Sequence, residues 1–388
     1  MDPGGAAGEQ PGRRASAVPG SEGIHVDALL MTGFPGFLGS ALLPRLLDRR
    51  PQTRAVCLVQ PQHAATAQRR IDEIAAAHPH TRERITLVPG DITRRGLGLS
   101  AADRASLDDV TEVFHLAAVY DLAVGVDLAR SVNIDGTARV LDLCTSLPAL
   151  SRLQYVSTCY VSGRYDGVFT EDALEEGQEF LNHYESTKFD AEVLVRKAMA
   201  DGVPATIYRP GIVVGDSTTG ATQKYDGPYF VATFLRRQAP VAVLPKLGDP
   251  DAVVVSLVPR DFVIDAFDTL SVLDVSRGRT YALADPDPPT VREVADTFAA
   301  HLGKRIVWLP LPHGLTRSAL AEVPGLERLA GLPAESLDYF VTPTRYSTTN
   351  TERDLDGTGV TCPAFSTYAA TLLDFMRAHP EIGSAAMV

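Results

Sequence analysis

Tyr184 and Lys188 stand four residues apart in the run His183-Tyr184-Glu185-Ser186-Thr187-Lys188. On a helix, residues i and i+4 share one face. An ammonium held there would favour ionisation of the phenol and make it an acid usable near neutral pH. Upstream, an apolar run ends Tyr155-Val156-Ser157-Thr158, so hydroxyls emerge where a strand closes. Side chains alternate along a strand, which favours Thr158 over Ser157 as a second donor to an oxygen shared with Tyr184. A Tyr-x-x-x-Lys spacing is common by chance, and its surroundings must carry the chemistry.

The surroundings begin with Gly33-Phe34-Pro35-Gly36-Phe37-Leu38-Gly39, directly after a first strand and at the start of a first helix. There, backbone can approach a pyrophosphate and helix amides can face it. Gly33, Pro35, Gly36, Phe37 and Leu38 are the expected contacts of a dinucleotide. After the second strand comes Leu58-Val59-Gln60-Pro61, with Gln60 where an NAD-selective site places an acid for the ribose 2′-hydroxyl. Arg69 and Arg70, about ten residues on, are candidates for a 2′-phosphate. NADPH is therefore preferred, with NADH left open. Gly90-Asp91-Ile92 after the third strand offers Asp91 and Ile92 to the adenine. His115-Leu116-Ala117-Ala118 after the fourth places small residues, Ala117 and Ala118, where the ribose and nicotinamide pass. Tyr208-Arg209-Pro210-Gly211 after the sixth sets Pro210 and Gly211 against the nicotinamide amide. Tyr184 and Lys188 would also touch the cofactor.

These motifs ride on a regular alternation. Strands are expected at Val26 to Met31, Arg54 to Val59, Arg84 to Val88, Glu112 to Leu116, Leu153 to Ser157 and Ala205 to Tyr208, with helices near 37–49, 64–77, 128–146 and 183–200. The alternation predicts an α/β fold: a doubly wound parallel Rossmann sheet with a smaller, mainly C-terminal substrate-binding lobe. Residues 1–23 are expected to be a disordered tail and 24–210 the NAD(P)-binding domain, with 252–284 returning to it; 211–251 and 285–388 form the lobe. Within the later stretches, strands are expected at Ala252 to Val258 and Arg279 to Leu283, and helices at Val291 to His301, near 315–330, and at Tyr368 to Ala378.

Composition narrows the classes. The chain has 388 residues, 45% of them hydrophobic, enough for a substantial core. A net charge of −12 argues against a nonspecific nucleic-acid or anionic-membrane surface. Cys57, Cys144, Cys159 and Cys362 lack CxxC spacing and read as reduced thiols. No apolar run approaches a membrane span of ~20 residues, and the first 23 residues lack a signal-peptide core, so a cytoplasmic location is expected. The nine histidines show no paired ligand spacing and no GxSxG elbow occurs, so neither a metal centre nor a triad hydrolase is expected.

Taken in order, the glycine turn, Gly90-Asp91-Ile92, His115-Leu116-Ala117-Ala118, Ser157-Thr158, Tyr184-x-x-x-Lys188 and Arg209-Pro210-Gly211 resemble the extended short-chain dehydrogenase/reductase superfamily over residues 26 to about 300. The stretches around Thr158 and Tyr184, with Cys57-Leu58-Val59 and Val258-Pro259-Arg260-Asp261-Phe262-Val263, look most like the fatty acyl-CoA reductase and thioester-reductase, or male-sterility-type, branch. That resemblance implies an NADPH-dependent oxidoreductase in which Thr158, Tyr184 and Lys188 are catalytic. Hydride would go to an acyl thioester, giving an aldehyde and leaving open a second transfer to the alcohol. Branch members commonly carry Arg where this chain has Gln60, which bears on the 2′-phosphate. The chain shows no adenylation region and no phosphopantetheine site, so the acyl group is expected from CoA or a separate carrier protein; Arg236 and Arg237 are candidates for its phosphate. The alternatives within the superfamily are a ketone or aldehyde reductase and a sugar-nucleotide epimerase or dehydratase. Outside catalysis stands an NADP-sensing regulator.

Overall fold

A computed structural model describes residues 1, 27–120, 124–311, 337–339 and 341–383. The expected tail and the segment near 315–330 lie outside these residues.

The first strand, β1 (Ala28–Thr32), is buried along its whole length, as a central parallel strand must be. Its alternate residues feed two cores. Leu29 and Met31 pack with helices α1 (Phe37–Arg49), α2 (Ala64–Ala77) and, from late in the chain, α6 (Arg260–Val272). Ala28 and Leu30 pack on the opposite face against α3 (Gly136–Ser146) and α4 (His183–Ala200). The remaining strands of this sheet are β2 (Arg54–Val59), β3 (Ile85–Pro89), β4 (Val110–His115), β5 (Arg152–Val156), β6 (Ala205–Pro210) and β10 (Thr280–Leu283). They form one seven-stranded sheet in the order β10-β6-β5-β4-β1-β2-β3, with every pairing parallel. This is a doubly wound Rossmann sheet, and its order reverses between β1 and β4, where such sheets open a ligand crevice.

The six strands expected before residue 211 fall within two residues of their observed limits, and helices 37–49, 64–77 and 183–200 are matched end to end. The single helix expected at 128–146 is not continuous. A helical turn at Val126–Ala129 widens into a π-type turn at Arg130–Asp135 before α3. The widened turn carries Asn133 inward, where its amide accepts from Val119 N at 2.9 Å and donates to Val119 O at 3.2 Å and Thr187 Oγ1 at 3.0 Å.

A third apolar cluster joins α5 (Pro228–Arg237), β8 (Val241–Lys246), α7 (Val291–His301) and α8 (Phe365–Ala378) around Tyr229, Leu235, Phe298 and Tyr368. Strand β8 pairs in parallel with β11 (Arg305–Pro310). The strand expected at Ala252 to Val258 shrinks to β9 (Leu257–Pro259), which pairs with β7 (Ile212–Val214) outside the main sheet. Ahead of β9, Val254 forms only a bridge with Thr290. The final helix begins at Phe365, three residues before the expected Tyr368.

Outer strand β10 is finished by side chains. The buried carboxylate of Glu171 accepts from Ala282 N at 3.0 Å, from Thr351 N at 3.1 Å and from Asn350 N. Asn350 Nδ2 donates to Thr280 O at 3.2 Å, and Thr351 Oγ1 donates to Ala282 O at 3.0 Å.

Candidate active site

The glycine turn is as tight as its spacing implies. Gly33 has φ +88°, a region costly for side chains, and a Cβ there would lie 2.7 Å from the Leu116 carbonyl carbon. At Gly36 and Gly39 a Cβ would lie 2.8 and 2.6 Å from Gly33 O. All three positions therefore exclude a side chain, and the backbone of β1 and the start of α1 draw together. Gly36 is the N-cap of α1, and no side chain caps this helix, so the amides of Phe37 and Leu38 remain for an anion. Pro35 fixes the turn from inside, its carbonyl accepting from Ser40 Oγ at 2.8 Å. Over the Phe37 ring, at 5.1 Å, sits the Arg260 guanidinium.

Beyond β2 and β3, Gln60 and Asp91 are brought together. Burial would raise the Asp91 carboxyl, but hydrogen bonds from Thr93 and Gln60 outweigh it and hold the group below the usual range. Ile92 is buried beneath, in contact distance of the Gly136 position. Arg69 is exposed on α2 and donates to Thr66 Oγ1 at 3.0 Å, while Arg70 pairs with Glu73 at 2.6 Å. Both therefore have partners on their own helix. Arg236 and Arg237 lie in the last turn of α5.

Ala117, half-buried, donates its N–H to Thr32 Oγ1 at 3.2 Å, and Ala118 is exposed beside it. The same Thr32 hydroxyl meets His115 Nδ1 at 2.7 Å, and His115 Nε2 meets Thr137 Oγ1 at 3.0 Å. Burial, helped by the Lys188 charge, pulls the imidazole down to about 3, so His115 is a neutral brace between strands and helix. At the end of β6, Gly211 N donates to Leu283 O at 3.0 Å, and a Cβ on Gly211 would lie 2.6 Å from Ser256 O. Pro210 and Gly211 thus sit where β6 leaves the sheet, with Pro210 O accepting from Thr158 Oγ1 at 3.4 Å.

The Thr158 hydroxyl lies beside the Tyr184 phenol and favours its ionised form, against the burial that raises it. Thr158 is positioned by the short turn it caps, accepting from Tyr160 N at 3.2 Å. Tyr184 is positioned by the start of α4, where Asn182 Oδ1 accepts from Glu185 N at 3.0 Å. Ser157 is otherwise engaged, donating to Glu192 Oε2 at 2.6 Å, whereas the Thr158 hydroxyl donates only over the long contact to Pro210 O at 3.4 Å.

Lys188 differs from expectation. Its Nζ donates to Val156 O at 2.8 Å and to Tyr155 Oη at 3.0 Å, and lies 4.6 Å from the Tyr155 ring centre. Burial, opposed by the Glu192 charge, lowers the ammonium to about 7. The phenol of Tyr184 is raised by burial, against the lowering effect of Thr158. In this geometry desolvation outweighs the expected charge effect on Tyr184, and Lys188 is anchored to β5.

Four residues of this neighbourhood are not among the expected contacts: Tyr155, His115 and Arg209, which stand inside the motifs, and Glu192, which stands outside them. Glu192 is fully buried and receives Arg209 through Nη2 at 2.6 Å and Nε at 3.0 Å, Arg196 at 3.0 Å and Ser157. Its sole sequence hint is the i+4 spacing from Lys188 on one helix face.

These features fit a nicotinamide dinucleotide. The side-chain-free turn and uncapped α1 amides would take the pyrophosphate, Asp91 and Ile92 the adenine end, and Ala117, Tyr184, Lys188 and Gly211 the nicotinamide end. No helix among the described residues is long and apolar enough to cross a membrane.

Comparison with known proteins agrees. The family described as male sterility protein matches residues 31–267. A nonribosomal peptide synthetase, asaC, of Aspergillus flavus is 27% identical over 85% of this chain and 34% of its own length. The glycine betaine reductase ATRR of Emericella nidulans is 30% identical over 69% of this chain and 21% of its own. The chain thus spans about a third or less of these relatives. Among solved structures, the terminal R domain of the myxalamid PKS-NRPS pathway superposes with a TM-score of 0.77 at 28% identity, covering 93% of both chains. Sheet order, site and family match together place the chain in the male sterility protein family, as an NAD(P)-dependent oxidoreductase of the extended short-chain dehydrogenase/reductase type.

Proposed function

We propose that the chain is an NADPH-dependent reductase of acyl thioesters, with Thr158, Tyr184 and Lys188 as its catalytic residues. The observation that carries this reading is the neighbouring Thr158 and Tyr184 hydroxyls, Thr158 following β5 at the carboxyl edge of the sheet. Two hydroxyls converging on one point suit a carbonyl oxygen that gains negative charge. The relatives support the electrophile: they are named as a nonribosomal peptide synthetase and a glycine betaine reductase, and the R domain is named as terminal in a PKS-NRPS pathway.

When bound, the reduced nicotinamide supplies hydride. Tyr184 donates a hydrogen bond, and finally its proton, to the substrate oxygen while Thr158 donates a second. Lys188, held by Val156 O and Tyr155, offers N–H donors to the nicotinamide ribose and a charge that can reach the phenol once water is excluded. Neutral His115 adds no competing charge. The tetrahedral adduct then loses thiol to leave an aldehyde, which the same pair can take to the alcohol in a second round. The acyl group would arrive on CoA or on a carrier protein.

Replacing Tyr184 by Phe should lower kcat/KM with an acyl thioester by roughly 10²- to 10⁴-fold while the Kd for NADPH, read by its fluorescence, stays within a few-fold. Retained turnover would remove the assignment. A panel of acyl-CoAs, carrier-bound acyl groups, aldehydes and ketones, each with NADPH and NADH, tests the substrate. Oxidation of cofactor with aldehydes or ketones but never with a thioester would overturn the thioester reading.

A further inference from the structure

Residues near the C-terminal end reach back to the start of the catalytic helix. Tyr339 Oη donates to Glu185 Oε1 at 2.7 Å and accepts from Asn182 Nδ2 at 2.9 Å. Glu185 immediately follows Tyr184 and is fully buried; its other oxygen accepts from Leu181 N at 2.9 Å. Asn182 is the N-cap that sets the first turn of α4. The ring of Tyr339 stands edge-on to Tyr160, with centres 5.1 Å apart and planes at 88°. Tyr160 in turn donates its N–H to Thr158. One side chain therefore touches the turn that carries Thr158 and the turn that carries Tyr184.

We infer that Tyr339 is a positioning residue, a strut from the C-terminal lobe that sets the spacing between the Thr158 and Tyr184 hydroxyls. The inference rests on the reading of those two as the proton-donating pair. Its physical basis is that Glu185 and Asn182 flank Tyr184 within the first turn of α4, so a shift of either moves the phenol's backbone. Without the Tyr339 hydroxyl, Glu185 Oε1 is left buried without that donor, and the turn must relax to find another partner. A displacement near 1 Å at a reacting group costs about 100-fold.

The test compares wild type with Tyr339→Phe, which keeps the ring and removes the hydroxyl, and with Tyr339→Leu, which also removes the Tyr160 contact. With octanoyl-CoA and octanal as probes, kcat should fall about 10- to 100-fold in Tyr339→Phe and further in Tyr339→Leu. The Kd for NADPH should stay within twofold in both. Thr158→Val combined with Tyr339→Phe should lose less than the product of the two single losses, because both act on one spacing. Turnover within twofold of wild type in both Tyr339 variants overturns the inference, as does a loss mirrored in NADPH affinity or a fully multiplicative double variant. Tyr184→Phe is run alongside: if it too keeps turnover, the reading of the donor pair has failed, whereas a silent Tyr184→Phe beside a fully active Tyr339→Phe condemns the strut alone.

Discussion

Replacing Lys188 by Met should abolish turnover and yet make the cofactor-free protein more stable below pH 7. Lys188 is buried, and its ammonium is lowered from 10.5 to about 7, first by desolvation. At ~1.36 kcal/mol per pKa unit, that lowering corresponds to roughly 5 kcal/mol of destabilisation wherever both folded and unfolded chains carry the proton. The sign follows from proton uptake: between pH 7 and 10.5 the unfolded chain binds more protons, so stability rises with pH through that window. The penalty is full below pH 7 and has fallen by roughly 3 kcal/mol at pH 9. Methionine fills a similar volume without charge but leaves Val156 O without its donor, a loss of about 1–3 kcal/mol. The net expectation is a variant about 2–4 kcal/mol more stable than its parent at pH 6 and near parity at pH 9. Urea unfolding followed through the fluorescence of Trp308, the one tryptophan, measures this at both pH values. A variant less stable than the parent at pH 6, or an advantage that does not shrink by pH 9, would refute burial as the cause.

Two further perturbations probe the frame. Gly33→Ala places a Cβ 2.7 Å from the Leu116 carbonyl carbon at φ +88°, and should cost about 1–3 kcal/mol together with most NADPH affinity; unfolding and fluorescence titration report each separately. Glu192→Leu strands Arg209, whose fully buried guanidinium keeps only backbone carbonyls of Thr170, Glu171 and Ala173. A loss of about 3–5 kcal/mol in urea unfolding is expected, and a loss below 1 kcal/mol would show that the pair is replaceable.

The parts of the site legible in the sequence are those whose constraint is local. Gly33, Gly36 and Gly39 are needed by a turn that closes on itself, and Thr158 and Tyr184 stand at element ends that hydrophobic periodicity locates. What escaped is long-range and polar. His115 reads as a strand residue until Thr32 and Thr137 are found on either side of it. Glu192 and Arg209 are 17 residues apart and meet only because β6 runs beneath α4. The state of Tyr184 and Lys188 escapes for a related reason: helical spacing reports a shared face but not the depth of burial, and here burial raises the phenol and lowers the ammonium. The π-type turn at 130–135 is likewise dictated by Asn133 seeking Val119 and Thr187, contacts that no helical periodicity encodes.

The finishing of β10 by Glu171, Asn350 and Thr351 bears on how the molecule behaves at high concentration. An open outer strand offers a row of unpaired backbone groups to the next chain and invites fibrous association. Here the carboxylate and two C-terminal side chains occupy those groups at Thr280 and Ala282, so this side of the sheet cannot template an eighth strand. Removal of residues 350–351 would uncover Thr280 O and Ala282 O and offer them to a neighbouring chain.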